Sequence, residues 1–336
     1  MFTSLPKLLV GLGAATLLLT GCAKDDDLDL SIAGVAVATA DFQELEDAAI
    51  RGGVVTTLAN KNPNDPQGNF TVFAPTNDAF ARLGLRTAAD LNALQQPFLT
   101  NTLLYHVANG LVTGDALQYG KTSASVLGPN RRFTFRGGSM YVNGSRILAT
   151  DVKATNGRIH SIDKVLLATG ADITSSAVAL STSQVFVKPE LTYLVAALQL
   201  CKLTDALTKT PGSPAFTVFA PTDQAFKNLM QALALPVTTP AADVQSIANK
   251  VGGVDVLAKV LLNHVVAGAN GDKFTSELPE NASLTTLADS RLLMGPFANG
   301  LLTVKGTGNT APAAMVIPDV QCTNGVVHVI DQVLLP

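Results

Sequence analysis

Phe70-Thr71-Val72-Phe73-Ala74-Pro75-Thr76 returns letter for letter as Phe216-Thr217-Val218-Phe219-Ala220-Pro221-Thr222. An apolar word repeated whole within one chain points to duplication, so the unit to explain is about half the length. The match continues outward. Asn77-Asp78-Ala79-Phe80 answers to Asp223-Gln224-Ala225-Phe226, and Leu103-Leu104-Tyr105-His106-Val107 to Leu261-Leu262-Asn263-His264-Val265. Near the end of each unit, Asn156 through Leu167 matches Asn324 through Leu335. Order is kept while spacing grows, which places insertions in the second unit around Pro236–Asn249 and Asn270–Ser283. All 4 histidines lie in these blocks, so each unit keeps a pair for its own use.

Local patterns within a unit give its class. Leu191, Leu194, Val195 and Leu198 fall at i, i+3, i+4, i+7, the stripe of an amphipathic helix. Phe42, Leu45 and Ala49 hold the corresponding places in the first unit, with Gly52-Gly53 closing that helix. Phe70–Ala74 reads as a buried strand ended by Pro75. Thr76 and Thr222 suit helix N-caps, because a hydroxyl there accepts a first-turn N–H. Leu257, Val260, Leu261 and His264 give another helical stripe. Short strands then follow at Arg132–Phe135, Met140–Val142 and Leu301–Val304, and a closing strand at Ile159–Leu167 or Val326–Leu335, entered through Asn-Gly. Helices early and strands late predict an α+β fold.

The N-terminus carries an address. Lys7, an apolar run from Leu8 to Leu19, and Thr20-Gly21-Cys22 describe a secretory signal. A span would need roughly 20 apolar residues. Leu19-Thr20-Gly21-Cys22 resembles the bacterial lipobox, in which the thiol of the new N-terminus, here Cys22, is acylated. The plainer reading is an ordinary signal with a cysteine by chance. Lys24-Asp25-Asp26-Asp27 resembles the export signal of surface lipoproteins in Bacteroidetes, and is equally readable as a solvated tether. The expected organisation is a signal peptide at 1–21, a lipidated tether at 22–34, folded units at 35–168 and 185–336, and a small polar linker at 169–184.

Composition narrows the function. Hydrophobic residues make up 47% and charged ones 15%, which suits packed folds rather than disorder. A net charge of −3 without a basic cluster gives no footprint for nucleic acid. Trp is absent and there are only 4 Tyr, so a platform of stacked rings for sugars is poorly supplied. Beyond Cys22 remain Cys201 and Cys322, readable as a disulfide or, since Cys201 sits on a helical stripe, as small buried hydrophobes. No Gly-x-Ser-x-Gly, His-Glu-x-x-His or Cys-x-x-Cys signature occurs, so no enzyme activity and no cofactor are expected.

These blocks, in this order, resemble the fasciclin domain. Thr71–Phe80 and Thr217–Phe226 match its first segment, Tyr105-His106 its middle motif, and Asn156–Asp163 and Asn324–Asp331 its second segment. The resemblance covers roughly 35–168 and 185–336. It implies a wedge of β-strands with helices packed along it, and a role in adhesion or matrix contact without catalysis. It further implies partner binding by the pair preceding the second segment, here Asp151-Val152 and Asp319-Val320. The family has Ile at the second position of that pair, and Tyr where this chain has Asn263.

Candidate sites follow. Cys22 is the lipidation site. Asp151, Val152, Asp319 and Val320 are candidates for partner contact, with turn-capping as the plainer role of the two aspartates. Tyr105, His106, His160, His264 and His328 are read as structural, the histidines tying helix ends to strands through their ring nitrogens. Two histidines per unit fall short of a metal site. The function expected is that of a lipid-anchored module at the outer membrane, exposed at the surface and contacting a matrix or envelope partner. A ligand-binding lipoprotein, holding a glycan or small apolar molecule, is the alternative.

Overall fold

The computed structural model describes residues 30–181, 190–208 and 215–336. The expected signal segment, Cys22 and the acidic run after it lie outside the described residues. Each unit is a layer of helices packed on a strongly curled sheet, the α+β arrangement expected.

In the first unit the helices are α1 (Ile32–Ala38), α2 (Gln43–Arg51), α3 (Val55–Ala59), α4 (Asn77–Ala81), α5 (Ala88–Asn92) and α6 (Gln96–His106). Its strands are β1 (Phe70–Pro75), β2 (Val107–Asn109), β3 (Thr122–Ala124), β4 (Asn130–Arg136), β5 (Ser139–Val142), β6 (Ser145–Ala154) and β7 (Gly157–Ile162), in the order β2-β1-β7-β6-β5-β4-β3. A short β8 (Leu167–Ala168) then crosses to the second unit's sheet. The second unit has α7 (Ile173–Ser181), α8 (Thr192–Leu200), α9 (Asp223–Ala232), α10 (Pro240–Val251) and α11 (Val254–Leu262). Its strands are β9 (Phe216–Pro221), β10 (Val265–Ala267), β11 (Ser283–Thr285), β12 (Arg291–Met294), β13 (Thr303–Gly306), β14 (Ala313–Cys322) and β15 (Gly325–Ile330), in the matching order β10-β9-β15-β14-β13-β12-β11. The pairs β1–β7 and β9–β15 are parallel. Val126 N–H donates to Val107 O, and Leu287 N–H to Val265 O, so each edge strand lies beside the far end of its sheet and nearly closes a barrel.

The repeated word is apolar throughout because β1 and β9 are buried on both faces, and such strands read as continuous hydrophobic runs. Phe70, Val72 and Ala74 pack with the helices. Phe73 turns the other way, into the near-barrel with Phe133, Val142 and Ile162. The polar Thr71 is satisfied there, its Oγ1 donating to Gly110 O and accepting from Val112 N–H, both at 2.8 Å. Thr76 and Thr222 cap α4 and α9 as read, accepting from Ala79 and Ala225 N–H.

Three readings change. The stretch 169–184 holds a helix: α7 buries Ile173, Ala177 and Leu180 in the second unit's core. Ser and Thr between its apolar residues disguised it as linker. In the same way α1 begins at Ile32, inside the stretch assigned to the tether. The closing strands are shorter than expected and stop at Ile162 and Ile330. There the chain bends, because the Oδ1 atoms of Asp163 and Asp331 accept backbone N–H groups of Arg146 and Ala314. Cys201 and Cys322 are both free.

One side chain per unit holds these parts together. Asn156 is buried; its Oδ1 accepts from Ile32 N–H at 2.8 Å, and its Nδ2 donates to Leu58 O and Asn60 O. Its own carbonyl accepts from Phe70 N–H at the head of β1. Asn324 repeats the arrangement with Ile173 N–H, Leu207 O and Phe216 N–H. The next residue must be glycine. A Cβ on Gly157 would lie 1.9 Å from Phe70 O, and one on Gly325 2.1 Å from Phe216 O. Asn156→Ala should therefore destabilise the first unit by about 3 kcal/mol, since it orphans several buried backbone groups. Urea unfolding followed by circular dichroism would check this; an unchanged first transition would contradict it.

Candidate functional site

The four histidines divide into two kinds. His106 stands at the end of α6 and His264 just past α11, with both rings buried. Nδ1 of each meets a carbonyl one helical turn back, Thr102 O or Val260 O, at 2.7 Å. Nε2 accepts from the backbone N–H of Leu166 at 2.9 Å, or of Leu334 at 2.8 Å. Since Nε2 accepts, Nδ1 carries the proton and donates. Each ring thus fastens a helix end to the chain after the closing strand. Burial is the main cause that pushes both down to about 4.

His160 and His328 serve a different joint. Each sits on a closing strand and accepts at Nδ1 from the N–H of an aspartate, Asp151 at 3.3 Å or Asp319 at 3.2 Å. Nε2 then faces Val112 O or Lys273 O. Both aspartates lie at register shifts in β6 and β14 and have left-handed backbones, with φ of 60° and 66°. A β-bulge of this kind re-aims side chains away from the ladder. Burial lowers both histidines, against the opposing pull of the carbonyl partner and the nearby carboxylate.

The two aspartates then part company. Asp151 is half-buried; its Oδ2 accepts from Gly114 N–H at 2.9 Å, while Oδ1 has no partner. Val152 beside it is 38% exposed. Asp319 is buried: Oδ1 accepts from Thr275 N–H at 2.6 Å, and Oδ2 from Thr275 Oγ1 and from Lys164 Nζ, each at 2.7 Å. Val320 is 1% exposed and pairs with Leu167 of β8. Of the expected contact residues, only the first pair faces solvent. The second pair is covered by the first unit.

The residues that do the covering escaped the sequence reading. Lys164 Nζ also donates to Gly300 O and Thr275 Oγ1. Arg132 pairs with Asp272 at 2.6 Å and Glu277 at 2.9 Å, and Arg136 donates to Leu278 O at 2.6 Å. Cations come from the first unit and carboxylates from the second. The turn at Asn143-Gly144 lies so close that a Cβ on Gly144 would stand 2.3 Å from Asp319 Oδ2. One signal was present: Lys164 answers to Gln332 in the other copy, a charge that the shared fold does not require.

Tyr105 and Asn263, matched in sequence, solve one buried position differently. Tyr105 accepts from Asn143 Nδ2 at its hydroxyl, and its carbonyl accepts from the buried Arg131. Burial pushes the Tyr105 hydroxyl well up. Asn263 instead donates to Leu334 O and accepts from Ser290 and Thr286. Among the described residues no group of three or more His, Cys, Asp or Glu could hold a metal ion.

The histidines set a pH dependence. Above the usual value of 6.5 the rings are neutral in both native and unfolded chains. As pH falls from 6.5 towards 4, the unfolded chain takes up protons that buried His106 and His264 refuse, so stability drops. The loss approaches the order of 3 kcal/mol for each ring. The urea midpoint should fall through this window, and less steeply in His106→Gln with His264→Gln. Equal slopes in both proteins would contradict the assignment.

The model of the fasciclin domain matches residues 40–168 and 189–336. Transforming growth factor-beta-induced protein ig-h3 of Oryctolagus cuniculus is 28% identical over 272 residues, which are 80% of this chain and 35% of that protein. Protein sll1483 of Synechocystis sp. is 37% identical over 142 residues, 42% of this chain and 75% of that one. The chain thus spans 35% of the length of the first curated relatives it matches. Among solved structures, a FAS1 domain pair from the insect cell adhesion molecule fasciclin I matches with 19% identity and a TM-score of 0.39, over 88% of this chain and 96% of that chain. With both units matched along nearly their whole length, the chain belongs to the fasciclin-domain family and carries the domain twice.

Proposed function

We propose that this protein is a non-catalytic adhesion module, held by lipid at Cys22 to the outer membrane and exposed at the cell surface, that contacts a matrix or envelope partner. Family membership supports the class of role. The observation that carries the site is the bulge in β6, which sets half-buried Asp151 beside exposed Val152. An exposed apolar side chain that a bulge turns away from the ladder offers a small docking point. Asp319 and Val320 are left out of this proposal because the first unit covers them.

Anchoring rests on Leu19-Thr20-Gly21-Cys22, and surface export on Lys24-Asp25-Asp26-Asp27. Among the described residues no helix is long and apolar enough to cross a membrane. The reading as a carrier of a small apolar molecule is weaker. The slot lined by Ile32, Val37, Phe42, Ile50 and Val55 holds about 90 Å³, against the ~300 Å³ at which ligand pockets usually begin.

Cells carrying the protein should attach to matrix-coated surfaces. Cys22→Ser should abolish attachment by leaving an unacylated precursor. Asp151→Asn with Val152→Ala should reduce attachment several-fold, and a thermal melt separates the lost contact from any loss of fold. Equal attachment by all three strains would remove the reading.

A further inference from the structure

The largest of the cavities described above and below lies between the units, and neither copy's share of the family pattern accounts for it. It holds about 490 Å³, well inside the ~300–1,000 Å³ range of small-molecule sites. One wall comes from β4 and the turn before β3, the other from residues 273–280 of the second unit. The clasp of Arg132 with Asp272 and Glu277 fixes these walls relative to each other. A cleft held open in this way binds without first paying to order itself.

Its lining is unusual for this chain. Tyr119 is 75% exposed and Phe135 is 56% exposed; they are the two exposed aromatic rings among the described residues, and both line this cleft. Between them the wall is polar, with donors and acceptors mixed: Arg132, Lys273, Glu277 and Glu280. Ser276 also lines it. That residue is 3% exposed, and its hydroxyl has no hydrogen-bond partner. Arg132 Nε is likewise buried without a partner. Both atoms are shut off from solvent, so the polar wall open to a ligand is formed by Lys273, Glu277 and Glu280.

Chemical class follows by elimination. Phosphate-rich ligands want a cluster of unpaired cations, but Arg132 and Arg136 are already matched by Asp272, Glu277 and Glu280, which leaves Lys273 alone among the cleft's carboxylates. A purely apolar ligand would leave this wall unsatisfied. A sugar meets every requirement: its hydroxyls both donate and accept, while the C–H groups on one ring face rest on the electron-rich face of an aromatic side chain.

We propose that the cleft between the two domains binds an oligosaccharide, with room for roughly two or three sugar rings. Tyr119 and Phe135 serve as stacking surfaces, and Lys273, Glu277 and Glu280 meet the hydroxyls. The proposal deepens the adhesion reading by naming a partner chemistry and rests on it only for its biological setting.

The test uses the full chain with maltotriose, cellotriose and trigalacturonate, titrated by calorimetry and by saturation-transfer NMR. At least one should bind, with transfer into the aromatic protons. Tyr119→Ala with Phe135→Ala, at exposed positions that leave folding intact, should weaken that binding by at least about tenfold. Lys273→Ala should weaken it less, and a thermal melt of each variant separates lost binding from lost fold. Binding to none of the three, or binding indifferent to the two rings, overturns the site. Cell attachment assayed with the same double variant keeps the two readings apart. Attachment that persists while wild-type protein binds no sugar overturns the cleft alone, whereas sugar binding without any attachment upholds the cleft and removes adhesion.

Discussion

Asn156 and Asn324 are the constraint on which each domain depends. A parallel pair such as β1–β7 joins strands far apart in sequence, so its closure cost in chain entropy must be met by contacts made at the moment of pairing. The asparagine makes them together. It anchors the N-terminal helix by Ile32 N–H, the end of α3 by Leu58 O and Asn60 O, and the head of β1 by its own carbonyl. Glycine must follow, because the β1 carbonyl occupies the space a side chain would need. The Asn-Gly of each unit is therefore the point where helical layer and sheet are joined, more than a turn that opens a strand.

The histidines complete the frame from the other end. His106 and His264 close the helical layer onto the chain beyond the last strand; His160 and His328 hold the bulges of β6 and β14. Each ring uses one nitrogen to donate and the other to accept, so protonation would break a bond as well as bury a charge. A buried polar network is stabilising when each member is satisfied and costly when one is not. That accounts for the retention of all four rings while neighbouring positions, such as Tyr105 and Asn263, diverged.

What the sequence disclosed follows the same division. The repeated word, the caps at Thr76 and Thr222 and the paired histidines were legible, because each depends on contacts within one unit that duplication preserved. α7 was not, since its apolar face is carried by few residues among Ser and Thr and only packing makes it a helix. Apart from the one-copy charge at Lys164, the clasp between units was illegible for a deeper reason. Arg132, Lys164, Asp272 and Glu277 follow no periodicity and no motif; their meaning arises only when two folded domains meet. The cleft they frame inherits that silence. Composition argued against a sugar platform on the scarcity of aromatic residues, yet placement counts for more than number: both exposed rings came to the same opening.

Duplication of a fold is thus not duplication of a site. The same bulge, with the same left-handed aspartate and the same histidine behind it, occurs twice. In the first domain the aspartate is half-buried beside exposed Val152; in the second its carboxylate is taken by Lys164 and fixes one domain against the other. Desolvating a lysine and a carboxylate adds little net stability when they are well paired, but losing either partner leaves a buried charge, typically at about 3–5 kcal/mol. The pair therefore specifies orientation more than it strengthens the fold. With β8 running into the second sheet beside it, the tandem behaves as one body rather than two beads on a string. Whatever it binds meets a single composite face, one exposed bulge and one cleft, in a fixed relation that neither domain alone could present.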